Sequence, residues 1–227
     1  KIGIPTLSGT GAESSRTCVM INNENGLKLG MNSEFTIFDE LILDPVLSNS
    51  VPNNQYFYTG MDTFIHSFES LSGIHRHAMS DTYSEKAIDL VKEVFESSEF
   101  KSIENREKLM IASYFGGIAI ANSFVGVVHP FSAGLSVVLG IHHCEANCIA
   151  MRGMESFYKQ EYDLFWNLAS KNNINIKKGI CRNLTDTQYK NLYNSTIIHK
   201  IPLANALGDN FKEILEFNLV KEIFKKM

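Results

Sequence analysis

The sequence predicts a mainly α-helical fold with a few strands at its N-terminal end, on three observations. From Asp44-Pro45 onward apolar residues return at helical spacing, first Phe57, Met61, Phe64, Ile65 and Phe68, then Ala87, Leu90, Val91, Val94 and Phe95. Residues 109–144 contain no Asp, Glu, Lys or Arg, as helices buried inside a bundle would. Residues 1–50 instead carry short β-type runs separated by turn-forming residues. With 227 residues, 44% hydrophobic and 20% charged, the chain can bury a sizeable core in one large domain or two small ones.

Taken in order, residues 17–21 and 26–30 read as a hairpin around the turn Asn22-Asn23-Glu24-Asn25-Gly26, and residues 35–38 with 41–43 as one further strand. The uncharged run divides into two expected helices, 110–128 and 131–141, broken at His129-Pro130, with Gly116, Gly117, Gly126 and Gly134 allowing close approach. Beyond about Ser156 the chain reads as amphipathic helices joined by polar loops such as 170–175. The tail 211–224 keeps Ile214, Leu215, Asn218, Leu219 and Ile223 near one face.

Composition narrows the function. Lys+Arg 21 against Asp+Glu 25 gives a net charge of -4, which offers no cationic surface for nucleic acid. Cys18, Cys144, Cys148 and Cys181 form no CxxC pair and no disulfide framework, so a reducing, cytoplasmic setting is expected. The uncharged run is long enough to span a membrane, but His129-Pro130 interrupts it, Asn122, Ser123, Ser132 and Ser136 dot it, and no cationic cluster flanks it. The opening Lys1-Ile-Gly-Ile-Pro5 reads as a strand end, and a chain cut from something longer is expected.

The sharpest chemical feature lies at residues 60–69. In a helix, Asp62 and His66 stand at i and i+4 and present a carboxylate and an imidazole to one spot, a ligand geometry for a divalent metal. Glu69 shares that face, as an acid orienting a ligand or as a core acid. Downstream, His129 and His142-His143 sit in or beside the apolar run, where an imidazole needs a partner or stays neutral. Convergence of these groups would give one Asp and three His. Cys144 and Cys148 at i and i+4, with an adjacent histidine, are a rival zinc cluster, whereas His75, His77 and His199 lie in polar surroundings and read as solvent-facing. The segment Pro5-Thr-Leu-Ser-Gly-Thr-Gly-Ala-Glu13 reads either as an anion cradle built on backbone amides and the Ser8 and Thr10 hydroxyls, or as a plain strand-to-helix turn.

Together these motifs resemble the iron-containing (group III) alcohol dehydrogenase family. The match runs through Pro5-Thr6-x-Ser8-Gly9-Thr10-Gly11-x-Glu13, Asp44-Pro45, Gly60-Met61-Asp62-x3-His66-x2-Glu69, Asn122-x3-Gly126-x2-His129 and His143-x2-Ala146-Asn147. The family's downstream ligand histidines lie fourteen positions apart, and 143 − 129 = 14. The resemblance therefore implies Asp62, His66, His129 and His143 as ligands of Fe2+ or Zn2+, with His142 a bystander. It implies Thr6, Ser8, Thr10 and Lys28 at an NAD(P) cofactor. It also implies a dehydroquinate-synthase-like two-domain enzyme, in which residues 1–50 are the last strands of an incomplete dinucleotide-binding domain and 51–227 the helical metal-binding domain.

The expected activity is oxidation of a primary hydroxyl to an aldehyde on a small-molecule alcohol or sugar acid, by a possible homodimer without nucleic acid or membrane. Among branches, the runs at 6–13, 26–32 and 129–136 look most like 3-deoxy-D-manno-octulosonate 8-oxidase, of lipopolysaccharide biosynthesis, with dioxygen as an alternative electron acceptor. Many relatives carry a further histidine four residues after the first downstream ligand; this chain has Ala133 there. The rival readings are an NAD(P)-dependent oxidoreductase of the same family on another small polyol or alcohol, a glycerol dehydrogenase or dehydroquinate synthase of the same fold, and a non-catalytic helical module with a structural metal.

Overall fold

Helix α1, Asn53–Ser72, is buried at every position from Tyr56 to Ser70, so it has no solvent face and must be wrapped on all sides. In the computed structural model, which describes residues 1–22, 24 and 28–227 but not the side chains of Ile21 and Lys28, α1 packs against α2, Ala78–Glu96, α3, Ile103–Ser123, and α5, His143–Ala150. Its core face joins Phe57, Met61, Phe64, Ile65 and Phe68 to Val91, Val94 and Phe95 of α2, the two series read from the sequence. A reciprocal cap starts α2, with His77 Nδ1 accepting from the Ser80 amide and the Ser80 hydroxyl accepting from the His77 amide.

The uncharged run folds differently from its expectation. α3 begins at Ile103 and stops at Ser123, and α4, Val128–Leu139, starts at a corner bent by 103°. The break therefore falls at 124–127, before His129-Pro130. Pro130 lies in the first turn of α4, where a helix needs no amide hydrogen from it. Phe124 supplies the turn with φ 62. The buried corner is held by side chains: Asn205 Nδ2 donates to the Ser123 and Val125 carbonyls at 3.0 Å each, and the Val127 amide donates to the Tyr158 hydroxyl at 3.1 Å. Among the described residues no single helix is long and apolar enough to cross a membrane.

The remaining helices, α6, Lys159–Lys171, α7, Asp186–Ile197, and α8, Lys200–Leu207, complete the bundle, α7 and α8 both meeting α4. The tail divides into α9, Phe211–Ile214, and α10, Phe217–Lys225. That break rephases the buried face to Leu215, Val220, Ile223 and Phe224, leaving Ile214 and Leu219, expected inside, exposed.

Near the N-terminus, β1, Ile2–Gly3, pairs in parallel with β4, Glu40–Leu41, while β2, Thr17–Ile21, and β3, Lys28–Asn32, form the expected antiparallel hairpin with Thr17 opposite Asn32. Among the described residues the second hairpin strand covers Lys28–Asn32; Asn23, Asn25 and Gly26 of the expected turn, and Leu27 of the expected strand, lie outside them. Residues 35–38 are not a strand, because the Ser33 hydroxyl accepts from the Phe35 amide and caps a 3-10 turn over Glu34–Thr36. None of the four cysteines forms a disulfide.

The 8–15 loop is pinned onto the bundle. Thr63 Oγ1 donates to the Gly9 carbonyl at 2.8 Å, and a Cβ on Gly9, whose φ is +147, would stand 1.8 Å from the Thr59 carbonyl oxygen. Gly9→Ala should therefore lower stability by about 3 kcal/mol through backbone displacement, read from urea unfolding midpoints. In the same loop Glu13 is buried, with one carboxylate oxygen lacking a partner. Burial raises its pKa, and its own backbone amide and the Ser113 hydroxyl offset only part of the rise. A raised folded pKa gives stability that is complete below the unfolded value of about 4.3 and is lost as pH climbs through the folded value. Glu13→Gln should escape that loss, so its advantage in unfolding midpoint should be small near pH 4 and grow toward pH 7.

Candidate metal centre

Two turns of α1 put Asp62, His66 and Glu69 on one face, all buried. His129 enters from the first turn of α4 and His143 from the first turn of α5. One ligand atom each from Asp62, His66, His129 and His143 falls within a 4.8 Å group. His66 Nε2 and His129 Nε2 stand 3.6 and 3.5 Å from Asp62 Oδ1, and His143 Nε2 stands 3.6 Å from Oδ2. Donors at about 2.1 Å from a tetrahedral ion are spaced by about 3.4 Å, so these separations fit one divalent cation.

Outer contacts aim the imidazoles. Glu69 Oε2 meets His129 Nδ1 at 2.5 Å, which leaves Nε2 for the centre, while Oε1 accepts from the Val128 amide at 2.6 Å. The His66 and His129 rings stack with centroids 4.7 Å apart. Asn147 Nδ2 donates to Asp62 Oδ1 at 2.6 Å.

The electrostatics call for a cation. Among the described residues, the ion-pair partners of Asp62 and Glu69 are histidines, with no Lys or Arg. Burial opposes ionisation of Asp62, yet the imidazoles of His66, His143 and His129 hold its carboxyl below the ordinary range. Burial pushes His66 down to about 3, a fall Asp62 only partly offsets. Burial also acts against a charged His129, but the neighbouring Glu69 and Asp62 carboxylates overcome it and raise this imidazole to about 9. The carboxylates thus draw positive charge to the place where the donors converge.

The rival cluster does not assemble: among the described residues the converging group contains no cysteine. Burial, with Asp62 and Glu145 nearby, pushes the Cys148 thiol well above its ordinary value, which disfavours the thiolate a metal needs. His142 is exposed at the N-cap position of α5, while His143 turns inward. His75 and His77 are exposed as expected, but His199 is half-buried and lines a cavity.

That cavity, of about 680 Å³, borders His66, His129 and His143 and includes Thr10, Ala133 and Lys200 in its walls. Of the residues expected at a cofactor, Thr10 reaches it; Ser8 is buried, Thr6 is exposed, neither lines the cavity, and the side chain of Lys28 lies outside the described residues. The 5–13 segment leads into a turn and the β2–β3 hairpin, not into a helix. The sequence reading gave no role to Asn147 or Tyr158. The first carried a signal, four residues after His143 on the same helix face; the second carried none, because only the fold brings it to Glu69.

Residues 56–208 match the model of the Fe-containing alcohol dehydrogenase family, C-terminal. Sulfoacetaldehyde reductase of Bilophila wadsworthia (strain 3_1_6) is 33% identical over 144 residues, 62% of this chain and 37% of that protein. The 1-propanol dehydrogenase PduQ of Citrobacter freundii is 30% identical over 152 residues, 66% of this chain and 41% of its own. The matched segment thus spans well under half of either relative. Among solved structures, sulfoacetaldehyde reductase from Bifidobacterium kashiwanohense in complex with NAD+ superposes with TM-score 0.82 at 22% identity, covering 98% of this chain and 63% of that one. An archaeal alcohol dehydrogenase from a Red Sea brine pool gives 0.86 at 19%, covering 99% and 63%. At these identities the structural likeness is one of fold.

His143→Ala should abolish metal retention, measured by elemental analysis of the purified protein, whereas His142→Ala should leave most of it. Equal loss from both would contradict the inward placement of His143.

Proposed function

Because the chain belongs to the Fe-containing alcohol dehydrogenase family, we propose that it holds a divalent metal, Fe2+ or Zn2+, between Asp62, His66, His129 and His143 and serves a nicotinamide-dependent interconversion of a small alcohol and its aldehyde. The observation that carries this reading is the convergence of one buried carboxylate and three imidazoles at the edge of a cavity large enough for a substrate. Such a cation, when bound, supplies Lewis-acid stabilisation of an alkoxide, and the cofactor takes or gives the hydride.

The chain's own residues position and shield. Glu69 holds the His129 tautomer, Asn147 holds Asp62, and Ile120, Phe124, Val125 and Pro130 give the cavity apolar walls that limit water. Ala133, at 8% exposure, lines the wall next to His129 and has no exchangeable proton, so proton release there falls to another group or to solvent. Of the hydroxyls expected at a cofactor in the 5–13 segment, Thr10 lines the cavity, which supports its reading as a cofactor contact.

Residues 1–50 are, on this proposal, the last strands of a dinucleotide-binding domain and 51–227 the helical metal-binding domain. The support is the β1–β4 pair: parallel strands are normally covered on both faces, yet Ile2, Ile4 and Ile42 are exposed, as are Phe35 and Val46 nearby.

The relatives named above suggest a short substrate such as an aldehyde of two or three carbons. Oxidation at C8 of 3-deoxy-D-manno-octulosonate is a second reading; it rests on the motif resemblance, and the cavity volume accommodates a sugar acid. Assays with NADH and sulfoacetaldehyde or propanal, and of octulosonate oxidation with and without NAD, separate the two. Chelation should abolish turnover, and Fe2+ or Zn2+ should restore it. If chelation lowers the unfolding midpoint while no tested substrate turns over with metal bound, the site is structural and the proposal fails.

A further inference from the structure

The cavity beside the three imidazoles has an uneven charge. Its lining among the described residues includes no Asp or Glu, and Lys200 is its one Lys or Arg. Asp62 and Glu69 do not line it. Their two negative charges face the imidazoles and, on the proposed function, a divalent cation that balances them. What the cavity presents to its contents is then the charge of Lys200.

Lys200 opens α8 directly after His199, is exposed, and makes no ion pair among the described residues. Apart from its four histidines, the rest of the lining carries no ionisable side chain and includes hydroxyls and an amide at Thr10, Ser15, Thr17 and Asn32 and apolar side chains of the α3–α4 corner. A single cation on a cavity bounded by low-dielectric walls favours negative ligands and orients them. A neutral alcohol gains nothing from it, whereas a substrate with an oxyanion at the end remote from the reacting carbon gains a charge-assisted hydrogen bond.

We propose that Lys200 is a specificity-determining contact of this site, and that the substrate is a short hydroxy or oxo acid whose carboxylate or sulfonate Lys200 takes while its carbinol or carbonyl end faces Asp62, His66, His129 and His143. The inference rests on the proposed function for the reacting end. It adds the substrate's charge and the residue that reads it. The phosphates of a dinucleotide present the same oxyanion chemistry, and the experiment distinguishes the two sources.

The test compares kcat/KM for sulfoacetaldehyde and succinate semialdehyde with that for propanal, in the wild-type protein, Lys200→Gln and Lys200→Arg, with the KM for NADH followed in each. Lys200→Gln should reduce the preference for the anionic aldehydes by roughly tenfold, the loss expected of one charge-assisted hydrogen bond, and Lys200→Arg should keep most of it. A sulfonate substrate affected alone, or a carboxylate alone, identifies which oxyanion is read. An unchanged preference overturns the inference while leaving the oxidoreductase reading intact, as does a rise confined to the KM for NADH, which would assign Lys200 to the cofactor. If none of these aldehydes turns over in the full-length enzyme with its whole dinucleotide-binding domain, the proposed function fails and calorimetry decides the inference. Tighter binding of 2-hydroxyethanesulfonate than of 1-propanol, reduced in Lys200→Gln, supports it; equal binding of the two overturns it.

Discussion

Two carboxylates buried on one face of a fully enclosed helix are the constraint around which this structure is arranged. Asp62 and Glu69 sit two turns apart on α1, each without solvent and without a Lys or Arg partner among the described residues. A buried unpaired charge is costly enough that a chain must neutralise it or bring an opposite charge to it. Here His66 from the same helix, His129 from α4 and His143 from α5 all turn toward Asp62. The candidate metal centre is therefore also a junction of the bundle, and losing its charge balance should weaken the packing of α1 against α4 and α5.

Glu69 shows how closely support and site are merged. One of its oxygens takes the first amide of α4 and the other fixes the His129 ring on that same helix. The helix start and the ligand orientation thus depend on a single side chain. Gly126 makes room for it, since a Cβ there would stand 3.0 Å from Glu69 Oε1 and 2.5 Å from the Tyr158 hydroxyl oxygen. A corner of bare backbone inside a core is tolerable only when its polar groups are satisfied, and Asn205, Tyr158 and Glu69 do so from three different elements.

The sequence showed the parts of the site that sit on regular helix. Asp62, His66 and Glu69 share a face by periodicity alone, and the apolar series around them mark α1 and α2. The corner between α3 and α4 was misplaced because a proline reads locally as a breaker, whereas its position in the first turn of a helix depends on where that helix starts. What sets the start is Phe124 at positive φ and three partners distant in sequence. His199 was read as solvent-facing from its polar neighbours, and its place on the cavity wall follows from the contact of α8 with α4, which local composition does not encode. The tail failed for a similar reason: a break at Leu215 and Glu216 resets the helical phase, so a face drawn through both halves is the wrong one.

The spacing of His129 and His143 can be understood from the same geometry. From His129 the helix α4 runs ten residues to Leu139, carrying the chain about 15 Å away from the centre. Gly140, at φ 69, turns it back, and the four steps from Leu139 to His143 can recover at most about 14 Å. The two imidazoles must span what remains, which they do from first-turn positions on α4 and α5. One more turn of helix would add about 5.4 Å to the outward path with nothing added to the return. His142, one residue earlier, occupies the N-cap position of α5 and is exposed. The fourteen-residue interval is thus ten steps along α4 and a four-step reversal through Gly140 that returns a second imidazole to Asp62.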